Sequence, residues 1–403
     1  MKIKIQSFLI ISMMFLTLFS CSDTSSGSFT MIMSGSVHGQ LDPCGWKKNP
    51  LGGLSRRLTK INSLRETGID PLILDAGDLF FSTSKITKNN KKSELFRAEA
   101  IVEGYSEIGC DAINIGHYEV LNGLSFLKKI SDKTEIPFLS ANLKKYNTDE
   151  LIFEPFKIIN KGGLNIGIIG LMDNLPDTSK SMKIDNYLEA GNKYIKLIFN
   201  EVDVIVLLVN IERGKQATLA KDFPEADFII TSGSTNMTRS NTPQEQGGPL
   251  VYSCGKQGKY LLTVDVGMKN PEEPFVDVSA QEKNIKQINK RFERLQKKDP
   301  NKSLEEIYAD QSNVLKLIDG YKTDMIEAEK AIESAINTLE YKNIALSRKV
   351  QDNTKMLDFV NSSLLTCTTL DKTPKPNLQK SKSDSKKRNK LNSGHSNHDG
   401  HNH

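Results

Sequence analysis

The sequence contains few of the residues that cross-link a chain. Its 403 residues include five cysteines, one tryptophan and six histidines. Cysteines this scarce and scattered cannot form the disulfide framework that is typical of small exported domains. The length predicts two or three units with a sizeable buried core, so ordinary packing must hold the fold.

Basic residues are not concentrated in the body of the chain, although the formal net charge is +5. Residues 1–20 hold two lysines and no acid, and residues 371–403 hold eight basic and three acidic residues. The segment between them holds 44 basic and 46 acidic residues. Because nucleic acid is bound by basic residues clustered on one folded face, this composition predicts no nucleic-acid partner.

Long apolar runs are also missing, except at residues 8–19, which follow two lysines. That run is too short to span a membrane and is typical of an export signal over residues 1–20. It ends at Leu-Phe-Ser-Cys21, which resembles the lipobox of bacterial lipoproteins. The resemblance implies acylation of Cys21, a tether over residues 21–28 and a lipid anchor in the bacterial cell envelope, facing the periplasm or the outside. The alternative is a plain secretory signal with a coincidental cysteine.

Short apolar runs alternate with amphipathic stretches from residue 29 to residue 270, a pattern typical of an α/β domain. Helices are predicted over 53–66, 94–108 and 187–200, and Lys161-Gly-Gly163 predicts a hairpin turn. The predicted strands are 29–33, 71–74, 112–115, 138–140, 156–159, 166–171, 204–209, 228–230, 250–253 and 260–266.

Beyond residue 280 the apolar residues follow a different period. Val314, Ile318, Tyr321 and Met325 begin a heptad stripe that continues to Leu346. It predicts a long helical segment over 279–366, either a coiled coil or an antiparallel helical arm, for self-association or for a protein partner. The alternative is a helix that caps the first domain. Residues 367–403 have almost no apolar side chains and predict a disordered basic tail with a His-rich tip.

Polar motifs follow the predicted strands, at the ends where open α/β sheets bind ligands. In chain order they are Ser36-Val-His38-Gly, Gly52-Gly-Leu-Ser-Arg-Arg57, Asp75-Ala-Gly-Asp78-Leu-Phe80, Gly116-His-Tyr-Glu119 and Ser140-Ala-Asn142. Several ordered blocks are far more specific than any one of them. Together they resemble the 5′-nucleotidase branch of the calcineurin-type metallophosphoesterase family over about residues 29–267.

The resemblance implies an α/β fold, a metallophosphoesterase-like β-sandwich flanked by helices, followed here by the long helical segment. In the family, two cations are held by an Asp-x-His pair, a bridging Asp, the Asn of Gly-Asn-His-Glu, a lone His and a Gly-His-x-His pair. His38 and the bridging Asp78 agree with this pattern. The positions that differ are Ser36, His117, Tyr118, Asn210, Gly233 and Thr235. Tyr118 stands where the family has the histidine that supports the transition state.

The histidine count leads to the same expectation. Four of the six histidines lie in the last nine residues, so His38 and His117 remain for the core. With Asp78, and with Asn210 as a weaker donor, they predict at most one divalent metal ion rather than a dinuclear centre. The site is therefore expected to be weak or vestigial, and no other cofactor is identified.

A subset of the family, the nucleotidase-like (UshA-like) (seleno)proteins, carries Leu-Glu-Pro-Cys-Gly-Cys, or selenocysteine at the last position. This chain is similar at Leu41-Asp-Pro-Cys44-Gly-Trp46, which implies a redox thiol at Cys44 without its second partner. Trp46 is either an aromatic residue packed on the sheet edge or a recoded selenocysteine position. Cys254 follows another strand and is a candidate disulfide partner of Cys44; two unpaired buried cysteines are the alternative.

The sequence thus predicts a lipid-anchored exported protein with a degenerate 5′-nucleotidase-like domain. It is not expected to be an efficient nucleotidase, and Cys44 would carry any remaining redox chemistry. One alternative is a weak metal-dependent phosphoesterase that uses His38, Asp78 and His117. Another is a coiled-coil scaffold lipoprotein with a vestigial pocket.

Overall fold

The computed structural model describes residues 26–46, 48–176, 180–239, 244 and 248–371. The chain divides after Asp371 into two units, and the second, Lys372–His403, lies outside the described residues. The predicted export signal, Cys21 and the His-rich tip lie outside them as well. Within the described ranges, no helix has the length and apolar character needed to cross a membrane.

The strands are named in chain order. They are β1 Gly27–Ser34, β2 Leu72–Asp75, β3 Ala112–Asn114, β4 Phe138–Leu139, β5 Leu143–Lys145, β6 Phe156–Lys161, β7 Leu164–Met172, β8 Met182–Ile184, β9 Val204–Asn210, β10 Phe228–Ser232, β11 Leu250–Ser253, β12 Tyr260–Met268, β13 Phe275–Asp277 and β14 Asn337–Ala345. One sheet has the order β13-β14-β12-β1-β2-β3-β4, and the other has the order β11-β10-β9-β7-β6. β5 and β8 form a separate ribbon.

The helices are named in the same way, and a 3₁₀ helix covers Arg213–Thr218. They are α1 Leu54–Arg65, α2 Lys91–Ile108, α3 Leu124–Ser131, α4 Tyr187–Ile198, α5 Leu219–Asp222, α6 Ser279–Gln296, α7 Leu304–Ile307, α8 Ser312–Ser334 and α9 Thr354–Asp371.

The two large sheets pack face to face. Met31 and Met33 of β1 share a buried apolar cluster with Ile168 of β7 and Val206 of β9. Helices α1, α2 and α9 cover the outer face of the first sheet, and α4 and α5 cover that of the second. Both faces of the central strands are therefore buried, which explains their continuous apolar runs. The predicted β-sandwich flanked by helices is confirmed.

Parallel pairing brings the strand ends together. In the first sheet β1, β2, β3 and β4 are mutually parallel, and in the second β7, β9, β10 and β11 are. In register, Ser34 lies opposite Asp75, and Asn210 lies opposite Ser232. The loops that carry the predicted site residues consequently leave the sandwich at one edge.

The predicted helical segment is present, but it is interrupted. α6 packs on α8, where the rings of Phe292 and Tyr321 are 6.2 Å apart. Residues 337–345 instead form β14, which pairs antiparallel with β12. The prediction that the heptad stripe continues to Leu346 is therefore wrong. In β14 the buried residues Asn337, Leu339 and Tyr341 alternate with half-buried ones, which is the period of a strand. A coiled coil stays a prediction.

The last helix also differs from an extended arm. α9 packs along α2 and α1, and it buries Met356, Val360 and Cys367. It continues to Asp371, so residues 367–371, which were predicted to begin the tail, are helical. The C-terminal segment thus supplies one strand and one covering helix to the predicted phosphoesterase domain.

Candidate functional site

The loops after β1 and β2 are held in an uncommon backbone conformation at the edge of the sandwich. Ser36, His38 and Asp78 have φ values of 50°, 54° and 58°. The Ser36 N–H donates to Gly77 O at 2.8 Å, and the His38 N–H donates to Asp78 O at 2.9 Å. Left-handed backbone at residues other than glycine costs energy and persists where surrounding bonds enforce it, most often at functional sites.

Glu119 provides much of that enforcement. Its carboxylate is fully buried. Oε2 accepts the N–H groups of Asp78 at 2.9 Å and Gly116 at 2.8 Å, and Oε1 accepts those of Leu79 at 2.6 Å and Phe80 at 3.2 Å. Burial raises the pKa of Glu119, the nearby Asp78 carboxylate adds to the rise, and the N–H donors oppose it. Glu119 therefore ties the loop after β2 to the loop after β3.

Asn210 joins the second sheet to the same edge. Its side chain is 2% exposed. The amide oxygen accepts the His117 N–H at 2.9 Å, and Nδ2 donates to Ser232 Oγ at 2.6 Å. Ser232 Oγ in turn donates to Ala76 O at 2.7 Å. The side chains of Asn210 and Ser232 thus connect the ends of β2, β3, β9 and β10.

The side chains of the first and third loops meet beside Asp78. The His38 ring lies 4.4 Å from the Tyr118 ring, and the His117 ring lies 6.1 Å from it, centre to centre. Asp78 is 3% exposed, and its Oδ1 accepts the Tyr118 N–H at 3.0 Å. Burial lowers the pKa of His38 even though the Asp78 carboxylate acts in the opposite direction, and Lys256 lowers it further. The neutral imidazole is therefore favoured near neutral pH.

Comparison with known proteins agrees with this architecture. No family model matches the chain. A 5′-nucleotidase of Vibrio parahaemolyticus is 28% identical over 275 residues, which cover 58% of this chain and 48% of that relative. The chain thus spans about half the length of the curated relatives it matches.

Two solved structures share the fold. A 5′-nucleotidase precursor from Thermus thermophilus matches with a TM-score of 0.59 at 16% identity, over 85% of this chain and 58% of that one. The calcineurin-like phosphoesterase YfkN from Bacillus subtilis matches with a TM-score of 0.57 at 15% identity, over 86% and 100%. The chain is similar in sequence to 5′-nucleotidases and shares the fold of calcineurin-like phosphoesterases. It carries a 5′-nucleotidase-like phosphoesterase domain.

The donors at this 5′-nucleotidase-like site do not fit a pair of cations. His38, Asp78, His117 and Asn210 lie on neighbouring loops at one edge of the sandwich. However, one oxygen of Asp78 and the amide oxygen of Asn210 already accept backbone N–H groups. His38 Nδ1 is buried without a hydrogen-bond partner and remains available. Across the described ranges, no group of three or more His, Cys, Asp and Glu side chains is placed to hold a metal ion.

Position 36 has a structural contact where the family carries a metal-binding aspartate. Ser36 Oγ accepts the Gly233 N–H at 3.0 Å, and Ser36 O accepts the Gln257 N–H at 2.8 Å. A hydroxyl is a much weaker cation ligand than a carboxylate. Ser36 consequently braces the loops after β10 and β11 instead of adding a negative charge.

Cys44 and Cys254 are both free thiols, so the predicted bridge between them is absent from this structure. Cys44 forms a backbone bridge with Leu51, whereas Cys254 pairs with Met237 beyond β11. Burial raises the pKa of each thiol, and at Cys44 it outweighs the opposing effect of Lys259. Neither group has the lowered pKa that is typical of a reactive thiol.

Trp46 does not pack on the sheet edge, contrary to the packed alternative. It is 87% exposed, and the loop holds it outward. Glu119 and Ser232 were not assigned roles from the sequence, although they now prove central to the loop contacts. Glu119 could have been noticed as an acid three residues after Gly116 in a loop that follows a strand. Ser232 gave no such signal, because its partners come from other strands.

Proposed function

We propose that this protein is a non-hydrolytic member of the 5′-nucleotidase-like family, with a rigid pocket that no longer assembles two cations. The observation that carries the proposal is the donor set around Asp78. One carboxylate and two imidazoles stand where a dinuclear centre needs more nitrogen and oxygen ligands. The strained loops are nevertheless fully braced, which favours a preserved binding pocket over a collapsed one.

The pocket residues suit hydrogen bonding to a polar ligand. His38 offers a neutral imidazole with an unpartnered Nδ1, Asp78 offers a carboxylate, and Lys256 lies near enough to affect the pKa of His38. The Tyr118 ring packs at a tilt against His38 and supplies an aromatic wall. These groups can orient a ligand without making or breaking a phosphoester bond.

Metal content and phosphatase activity test the proposal together. Purified protein is analysed for manganese, zinc and iron, and assayed on AMP and on p-nitrophenyl phosphate with added Mn²⁺. The four tail histidines are a separate source of metal, so the same assays use the chain with His395→Gln, His398→Gln, His401→Gln and His403→Gln. We expect no turnover above buffer and no effect of Asp78→Ala.

A single-ion phosphoesterase that uses His38, Asp78 and His117 is the alternative that these assays address. Near-stoichiometric metal in the tail variant, with turnover lost in Asp78→Ala and kept in Asp132→Ala, would overturn the non-hydrolytic role. Asp132 is an exposed residue after α3 and serves as the matched control.

A redox role for Cys44 is the second alternative. The raised pKa of its thiol argues for slow reaction, because the thiolate is the nucleophile. Alkylation with iodoacetamide, before and after reduction, measures this directly. We expect Cys44 to react no faster than glutathione and to be unaffected by reductant. Fast labelling that appears only after reduction would instead establish a redox cysteine.

We also propose that the mature protein is anchored in the bacterial cell envelope through an acylated Cys21. The lipobox-like residues support this location. Mass spectrometry of the processed N-terminus, with Cys21→Ser as the control, is expected to find a diacylglycerol-modified cysteine. A cleaved but unmodified N-terminus would contradict the lipid anchor.

The α6–α8 pair is a candidate surface for self-association. α6 carries five basic and two acidic residues, whereas α8 carries three basic and five acidic residues. Leu317 and Ile326 of α8 are 49% and 62% exposed. Two-fold pairing would place α6 of one copy on α8 of the other, with opposite net charges in contact.

Light scattering after size exclusion tests this pairing. We expect a dimer in the parent chain and a monomer in Leu317→Glu and Ile326→Glu. Leu365→Glu changes an equally apolar residue of α9 that is 69% exposed, and it should leave the dimer intact. A parent chain that is monomeric at every concentration would remove the proposal.

A further inference from the structure

We propose that Trp46 and the lysines around it form a docking surface for an anionic lipid bilayer. We call Trp46, Lys48 and Lys259 the Trp46 patch. This surface lies outside the pocket beside Asp78. It does not depend on the proposed pocket function or on acylation of Cys21.

The loop that carries Trp46 is ordered by backbone contacts. The Cys44 N–H donates to Leu51 O at 2.9 Å, and the Leu51 N–H donates to Cys44 O at 3.0 Å. Inside this bridge, the Asn49 N–H donates to Trp46 O at 2.9 Å. The chain therefore holds the indole in water, where a large aromatic side chain is disfavoured. The exposed indole is therefore available for contact with another surface.

The surroundings of Trp46 are positively charged. A shallow cavity of about 290 Å³ is lined by Trp46, Lys48, Lys259 and their neighbours. Lys259 Cε lies 4.0 Å from the Cβ that a side chain at Gly45 would carry. Lys256 also acts on the Cys44 thiol, and Asp42 is the acid that faces this thiol. The sequence adds Lys47 next to Trp46.

An anionic bilayer surface matches both features. Indole rings partition to the headgroup region of membranes, and each lysine near an anionic surface strengthens binding. Tryptophan together with several lysines on one small surface is therefore typical of interfacial attachment. A protein groove would offer charge complementarity as well, but a single protruding ring without an apolar surround is less suited to it.

The position of the patch separates it from the N-terminal anchor. β1 has eight residues, so its start lies roughly 24 Å from its end, where the loop towards Trp46 begins. An anchor near the start of β1 does not by itself bring the indole to the bilayer. A change in Trp46 fluorescence caused by lipid therefore shows that the Trp46 patch itself contacts the bilayer.

Because the chain has one tryptophan, its fluorescence reports this site alone. The full chain with Cys21→Ser is mixed with vesicles of phosphatidylcholine and with vesicles that also contain phosphatidylglycerol. Brominated lipids provide quenching. We expect a blue shift and quenching with the anionic vesicles and little change with the neutral ones. Lys48→Glu and Lys259→Glu should each weaken this response at least about fivefold, whereas the distant Lys221→Glu should not. Trp46→Phe confirms the origin of the signal.

Three results would overturn the docking surface. The first is unchanged Trp46 emission while the protein sediments with anionic vesicles. The second is equal quenching in neutral and anionic vesicles, unaffected by the lysine variants, which would show that residues near the N-terminus bring the chain to the lipid. The third is a blue shift that follows protein concentration without lipid, which would assign the patch to a protein contact.

Discussion

Asp75 is a buried carboxylate directly behind the candidate site. It is 0% exposed, and it accepts Ser34 Oγ at 2.6 Å and the Gly77 N–H at 2.9 Å. Burial raises its pKa to about 6, although both hydrogen bonds oppose the rise. In the unfolded chain the same carboxyl ionises near pH 4. Protonation therefore stabilises the folded state below about pH 4, and this stabilisation is lost as the pH rises to about 6.

We expect the Asp75→Asn variant to lack this pH dependence. The amide oxygen can accept from Gly77, and the Ser34 hydroxyl can turn towards Leu74 O, which lies 3.4 Å away. Between about pH 4 and pH 6 the parent chain should lose up to about 3 kcal/mol of unfolding free energy relative to the variant. Urea unfolding at several pH values measures the difference. Asp132→Asn is the exposed control, and parallel curves for the parent and Asp75→Asn would contradict the prediction.

Replacing the carboxyl group by an amide should lower the unfolding free energy far more at Glu119 than at Asp75. Each of its oxygens accepts two backbone N–H groups, so the NH₂ of Glu119→Gln would face two donors. We expect a loss of about 2–4 kcal/mol in unfolding free energy, because two buried N–H groups lose their acceptor. Urea unfolding checks this value. The exposed Glu135→Gln should change stability by less than about 0.5 kcal/mol, and equal effects of the two variants would count against the role of Glu119.

Among the elements, β14 decides how the C-terminal segment is built into the fold. Leu339 is 1% exposed and lies between the sheets, whereas in a continuous helical arm it would have remained near the surface. Leu339→Ala should therefore cost about 2–5 kcal/mol. Leu365→Ala on the outer face of α9 should cost less than about 0.5 kcal/mol. Thermal or urea unfolding distinguishes them, and a neutral Leu339→Ala would contradict the strand.

Local signals were reliable where a cap or a turn motif marks the end of an element. The capping box of Ser303 and Glu306 begins α7, and the glycine turn after Lys161 joins β6 to β7 as the sequence predicts. β14 escaped prediction because its apolar residues also continue the heptad spacing of α8. Without β14, the edge of β12 would lack a hydrogen-bonding partner strand. That edge exists only in the folded sheet, so the local spacing of apolar residues does not reveal it.

At the scale of the whole molecule, residues 29–270 are not expected to fold alone. The first sheet needs β14, and the outer face of α1 and α2 needs α9. A chain that ends at Ile336 should therefore yield no cooperative unfolding transition, because the edge of β12 and a large apolar face become exposed. Circular dichroism during urea unfolding tests this expectation.

The matched control removes the helical pair but keeps β14 and α9. The Val278 N–H donates to Leu339 O at 3.0 Å, so a linker from residue 278 to residue 337 has to span roughly 7 Å along the sheet. Replacing residues 279–334 with a short Gly/Ser linker should preserve a cooperative transition. If both deletions unfold, or if the chain that ends at Ile336 folds, the C-terminal segment does not have the assigned role.

The sequence by itself determined most strands of the two large sheets, the motif order and the shortage of imidazole and carboxylate donors, because these depend on local period and residue type. The tertiary structure decided which backbone N–H groups donate to the side chains of Asp78, Asn210 and Ser36. It also left Trp46 in solvent and placed β14 and α9 in the core. These outcomes depend on contacts between residues that are far apart in the chain. A spacing rule limited to neighbouring residues does not contain that information.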